Sequence, residues 1–249
     1  MLGRPAAAKI EARVRASAGE PVGADPLRGM RVRGMRMADA AAVRRLFRDT
    51  IALGRPLPFL CVALHRYEAL CLAWYLQPER LPDQAVLADD AGRVHGYALV
   101  CTDQAAYVRW MRSAVVRWAA ATTWALATRR LGSGEAQFHR LRLYDGWAAW
   151  RDAPRAVLPA HAHFNLARGA RGRLHVVALV DHIDARSVAH GLPGWYGEIN
   201  APVGRRASAL EAYGARVVHR MPNRTLSWLR ETPIERLTVA RTLALARTR

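Results

Sequence analysis

The sequence is expected to fold as an α/β domain, and three observations carry that expectation. Segments with strand-type alternation and segments with helical apolar spacing succeed one another along most of the chain. Ala85 to Asp89 and Val94 to Thr102 flank the turn Asp90-Ala91-Gly92, which reads as a hairpin. Leu158 to Val176, L-P-A-H-A-H-F-N-L-A-R-G-A-R-G-R-L-H-V, starts as a short alternating strand, crosses an Arg/Gly-rich turn and enters an apolar-periodic segment. A strand that empties into a helix N-terminus makes an anion site. The first helical N–H groups lack partners there, and the helix dipole adds roughly half a positive charge.

In chain order, Met30 to Met37 alternates weakly and reads as a first strand. Asp39 caps a helix running to about Leu53, with Val43, Leu46, Phe47 and Ile51 on its apolar face and Gly54 as its stop. Pro58 to Leu76 reads as a second apolar helix, ended near Pro78. After the hairpin, Ala105 to about Arg130 is helical and carries Trp110, Trp118 and Trp124. Gly132-Ser133-Gly134 breaks it, and a further helix runs to about Asp152 with Trp147 and Trp150. His161 to Leu166 is a fourth strand, and Arg173 to Ala189 a helix with Val176, Val177, Val180 and Ile183 inward and Gly191 as its stop. Trp195 to Asn200 is a fifth strand and Gly204 to Tyr213 a short helix. Arg216 to Met221 and Arg224 to Leu229 read as two last strands across Pro222-Asn223. Pro233 to Arg247 reads as a basic helix or a tail. The expected organisation is a basic tail over 1–29, a domain over 30–230 with a helical insertion at about 105–157, and a basic helix or tail over 231–249.

A chain of 249 residues with 51% apolar content can bury a full core. Its longest apolar run, Ala114 to Thr128, is interrupted by Arg117 and falls short of the roughly 18 apolar residues of a membrane span. The first thirty residues are rich in Arg and Ala without the apolar stretch of a secretory signal, so the expected compartment is the cytoplasm. Cys61, Cys71 and Cys101 show no C-x-x-C pairing and no His at metal spacing, so they read as reduced core residues and no metal is expected. The formal net charge is +18, and 37 of the 38 basic residues are arginine. The arginines are scattered in short pairs such as Arg44–Arg45 and Arg129–Arg130. This charge reads first as the arginine surface of a soluble protein and, in a second reading, as a footprint for an anionic partner such as a phosphate group, an acidic substrate or nucleic acid, of which nucleic acid is not expected.

The strand–loop–helix of Leu158 to Val176 resembles the cofactor-binding element of the GCN5-related N-acetyltransferases, whose loop reads Q/R-x-x-G-x-G/A. Pro159-Ala160-His161-Ala162-His163-Phe164-Asn165 is similar to P-A-H-L-H-I-D in the acetyltransferase-like domain of O-GlcNAc hydrolases. The resemblance spans most of Arg33 to Leu229. It implies a mixed, mostly antiparallel sheet flanked by helices, with a helical insertion between the third and fourth strands. It implies two strands that splay around a thioester co-substrate, acetyl-CoA or another acyl-CoA. The implied activity is acyl transfer to a small-molecule or peptide amine, with homodimer formation left open.

Carried over residue by residue, Arg171 takes the Q/R position, and Leu174 and Val176 stand where the loop glycines would be. Shifting by two residues restores Gly172 and places Gly169 at the Q/R position. Leu and Val side chains fill space that glycine leaves for a phosphate, and Arg168, Arg171 and Arg173 can compensate by pairing with it. The cofactor set is therefore Leu166, Arg168, Arg171, Gly172, Arg173 and Leu174, with the N–H near Leu166 as oxyanion donor. Leu210 stands where the family's proton-donating Tyr would be, and Val203 where its Asn would be. His161 and His163 lie two apart on one strand and share a face, which Asn165 continues. His163 is the expected base, with Glu198 supporting it and His161 beside it. Two other readings stay open: a binding module on the same fold, and a basic nucleic-acid-associated protein.

Overall fold

The computed structural model describes residues 29–152, 158–204, 211 and 213–244. The tail expected over 1–29 lies outside the described residues apart from Gly29, and so does nearly all of the expected Gly204 to Tyr213 helix.

Seven strands form one sheet: β1 (Arg31–Gly34), β2 (Ala85–Ala88), β3 (Val94–Cys101), β4 (Ala160–Leu166), β5 (Gly194–Pro202), β6 (Arg216–Pro222) and β7 (Ile234–Thr242). Their order is β1-β2-β3-β4-β5-β7-β6, and every neighbouring pair is antiparallel except β4 and β5. Among the described residues, six α-helices accompany them: α1 (Ala40–Thr50), α2 (Leu64–Leu72), α3 (Gln104–Ala127), α4 (Ser133–Asp152), α5 (Arg173–Ala189) and α6 (Arg224–Arg230).

Strand alternation divides the core between two faces. On one face Val86, Tyr97, Leu99 and Cys101 pack with Val43, Leu46 and Phe47 of α1 and with Leu72, Trp74 and Tyr75. On the other, Leu87, Ala98, Val100, Ala162 and Trp195 pack with Leu179, Val180 and Ile183 of α5. Asp184 of α5 locks that second layer, accepting from Trp195 Nε1 at 2.7 Å and pairing with Arg241 of β7 at 2.7 Å. Because β4 carries only small or apolar groups toward α5, its polar residues His161, His163 and Asn165 all face the α1 side.

Three expectations are corrected. The second helix is confined to Leu64–Leu72, not Pro58 to Leu76. Pro56 and Pro58 bias the residues before them away from helix, and Leu60 and Val62 are exposed instead of forming a buried stripe. Arg224 to Leu229 is helix α6 and not a strand. Asn223 caps it by accepting from Leu226 N at 2.9 Å, and the Asp145 carboxylate of α4 accepts from the N–H groups of Arg224 and Thr225. Finally, the segment expected as a basic C-terminal helix or tail supplies β7, which lies between β5 and β6 with Leu237 and Val239 fully buried.

The insertion between the third and fourth strands is helical, as the sequence implied. Trp118 is buried beside Tyr67, and Trp110 packs on Trp74. Trp124, Trp147 and Trp150 are exposed, so only part of the tryptophan set serves the core.

Candidate active site

The parallel pairing of β4 with β5 is short. Ala160, His161 and Ala162 pair with Trp195, Tyr196 and Gly197, and beyond that point the two strands part. His163 to Leu166 continue against β3 alone, and Glu198 to Pro202 against β7 alone. Gly197 sits at the last pair, where a Cβ would stand 2.8 Å from the Ala162 carbonyl oxygen. The strands approach closely there and then open a wedge of unpaired backbone.

The floor of the wedge is a polar patch on the α1 face. His161 of β4 pairs with Tyr196 of β5, His163 and Glu198 follow two residues on along their separate strands, and Thr238 and Arg236 of β7 stand opposite Glu198 and Asn200. His161 Nδ1 shares a 2.6 Å hydrogen bond with the Tyr75 hydroxyl. Its ring stacks on Tyr107 and meets Tyr196, whose hydroxyl accepts from Gln104 at 2.8 Å. Burial holds the His161 imidazole below its ordinary pKa, opposed by the Glu198 charge.

His163 stands with ring edges against Phe47 and Tyr97. Burial, and then the neighbouring His161, lower its pKa to about 4. A group so placed is neutral near pH 7. It also imposes a pH dependence on stability. The folded pKa lies below the unfolded 6.5, so the unfolded chain binds the extra proton between those values. Stability therefore falls as pH drops from about 6.5 to 4, by at most about 3 kcal/mol from this residue. Replacing His163 by Phe is expected to flatten that acid limb, checked by urea unfolding at pH 7 and at pH 4.5. An unchanged difference between the two pH values would contradict it.

Glu198 is the half-exposed carboxylate at the point where β4 and β5 part, with Arg236 Nη1 3.7 Å away. Burial would lower the Arg236 pKa, but Glu198 and Tyr67 raise it overall, so the guanidinium stays charged.

The helical insertion closes this face. The buried side of α4 carries Glu135, His139, Arg142 and Asp145. The Arg142 guanidinium lies over Tyr67 of α2 at 5.1 Å and over Phe138 at 5.4 Å. Sequence reading did not single out these four residues. Their signal was charge at spacings of four, three and three on a segment that also carries Phe138.

The expected cofactor loop is one 3₁₀ turn, Arg168–Ala170, followed by Arg171 and by Gly172 as the N-cap of α5. Leu174 is 79% exposed, so it points to solvent and does not fill the wedge. The side chains of Arg168, Arg171 and Arg173 are exposed around the helix start. Arg171 Nε donates to the Leu166 carbonyl at 3.4 Å, and its guanidinium covers Gly54, whose φ is +87°. A side chain at Gly54 would collide with it. His175 is buried and turned to the Ala170 carbonyl, 3.0 Å from Nδ1, so it clips the loop to the helix. The N–H of Leu166 donates to its neighbour's side chain, Asn165 Oδ1, at 2.9 Å. Asn165 in turn donates to Thr50. The expected oxyanion donor is thus already engaged.

No family model matches the sequence, and no curated protein matches it significantly. Solved structures do match. SsHAT aligns with a TM-score of 0.55 at 20% identity, covering 87% of this chain and 99% of that one. A mutant of agmatine N-acetyltransferase in its apo form aligns with a TM-score of 0.50 at 12% identity, covering 86% and 99%. A GCN5-related N-acetyltransferase from Kribbella flavida aligns at 18% identity with a TM-score of 0.47, covering 86% and 98%. The seven-stranded, mostly antiparallel sheet flanked by helices matches GCN5-related N-acetyltransferase folds.

Proposed function

We propose that the chain is an acyl-CoA-dependent N-acyltransferase, most simply moving an acetyl group to an amine. The observation that carries this reading is the wedge between β4 and β5, flanked by the arginine-rich N-terminus of α5. An extended pantetheine arm can take up unpaired backbone groups in the wedge. The pyrophosphate then meets the first N–H groups of α5 and the guanidiniums of Arg168, Arg171 and Arg173. Leu174, standing where a loop glycine was expected, is turned away and leaves this approach open.

In the reaction the amine nitrogen attacks the thioester carbonyl, the C–S bond breaks and the CoA thiolate leaves. The amine must lose a proton. Glu198 is placed to take it, directly or through one water, since it is half-exposed where the strands part. His163, neutral and wedged between Phe47 and Tyr97, is a wall of the site in this proposal, and His161 with Tyr75 and Tyr196 forms the polar floor. The test is release of free thiol from acetyl-CoA with a panel of small and peptide amines. Amine-dependent release supports the reading. Binding of acetyl-CoA without release from any amine would favour the second reading, a binding module. The engagement of the Leu166 N–H by Asn165 is the observation that favours it.

A further inference from the structure

Away from the wedge, three metal-ligating side chains from two parts of the chain converge. Cys61 precedes α2, and Glu135 and His139 stand one turn apart on α4. Cys61 Sγ lies 3.4 Å from Glu135 Oε1 and 3.9 Å from His139 Nε2, and Glu135 Oε1 lies 3.8 Å from His139 Nε2. Glu135 and His139 are buried, and Cys61 is half-exposed.

We propose that Cys61, Glu135 and His139 form a binding site for a zinc-like divalent cation. The spacing supports it. A tetrahedral ion with bonds of about 2.3 Å to sulfur and about 2.0–2.2 Å to nitrogen and oxygen separates its donors by roughly 3.3–3.6 Å. The three observed separations lie within a few tenths of an ångström of that range. The His139–Glu135 separation of 3.8 Å is too long for an N–H···O hydrogen bond. Nε2 is the ring atom of His139 that faces the cluster, and Nδ1 is buried with no hydrogen-bond partner among the described residues.

Glu135 is already oriented. The N–H of Ala63 donates to its Oε1 at 2.6 Å, as groups around a metal ligand commonly do. That oxygen keeps a second lone pair for the ion. On binding, the Cys61 thiol loses its proton to solvent. Thiolate, carboxylate and neutral imidazole then balance the two positive charges of the cation, and a water entering from the half-exposed Cys61 side completes four-coordination. A thiolate–imidazole–carboxylate set selects zinc over magnesium or calcium. The ion would tie the segment before α2 to the insertion helix, two parts of the chain more than seventy residues apart.

The experiment uses the full chain, stripped with a chelator and titrated with Co²⁺ alone, then with Zn²⁺. The expected result is one equivalent of Co²⁺ with tetrahedral d–d bands and a thiolate charge-transfer band, both displaced by Zn²⁺. In Cys61→Ser the charge-transfer band disappears. In His139→Gln, which keeps most of the side-chain volume, the affinity falls at least tenfold. Octahedral Co²⁺ spectra in the unmutated protein, or tetrahedral spectra unchanged in both variants, would overturn the proposal. So would the absence of stoichiometric binding at micromolar metal. None of these readouts depends on acyl transfer.

Discussion

Glu198→Gln is expected to lower kcat for acyl transfer by about 10²- to 10⁴-fold, the usual contribution of a positioned general base. Affinity for acetyl-CoA should stay within about threefold. The amide keeps the size of the carboxylate and an oxygen that can face Arg236, whose Nη1 lies 3.7 Å away. What it loses is the ability to accept the amine proton. His163→Phe should retain most of the turnover, because that ring is held between Phe47 and Tyr97, away from the half-exposed point where the strands part. Steady-state thiol release measures both. Wild-type kcat in Glu198→Gln would remove the residue from the chemistry.

The largest expected effect on stability comes from β7. A chain ending at Glu231 is expected to show no cooperative thermal transition. Each residue of β5, from Gly194 to Pro202, pairs with a residue of β7, from Thr242 to Ile234, and β6 has no other neighbour in the sheet. Removing β7 would expose a long strand edge and empty the space filled by Leu237 and Val239. The milder substitution Leu237→Ala should cost about 2–5 kcal/mol, the range for a fully buried leucine. Circular dichroism melts test both. A truncated chain melting within a few degrees of the full one would mean that the segment is a tail after all.

These two cases also mark how far the sequence could be read. Strands with clean alternation and helices with a clear apolar stripe were legible: β3, β4, α1 with Val43, Leu46 and Phe47, and α5 with Ile183 inward. The expected Asp39 cap was not borne out, because that carboxylate pairs with Arg33 and accepts from Arg36 N instead of a helical N–H of α1. β7 was not legible, because I-E-R-L-T-V-A-R-T mixes two arginines and a glutamate into the strand. Those charges are matched by tertiary partners: Glu235 pairs with Arg220, Arg236 with Glu198 and Arg241 with Asp184. No local pattern announces such pairs. The same holds for α6. T-L-S-W-L carries β-type residues, and its helical state rests on the Asn223 cap and on Asp145, contributed by a helix 79 residues earlier in the chain.

At the candidate site, the shared face of His161 and His163 and its alignment with Glu198 followed from strand periodicity. The division of roles between them did not, because it depends on what packs against each ring. Nor did the insertion's polar lining, where Arg142 rests on Tyr67, or the convergence of Cys61 with Glu135 and His139. Contacts across more than seventy residues leave no spacing to read.

Calorimetric titration of acetyl-CoA into the full chain, with Arg173→Glu as the matched variant, tests whether the start of α5 and the adjoining wedge hold an acyl-CoA. The expected result is one site of micromolar affinity, weakened at least tenfold in the variant, because a carboxylate at the helix start repels the pyrophosphate and cancels the local positive potential. Absence of binding to the folded protein, or equal affinity in the variant, would contradict the assignment of the site.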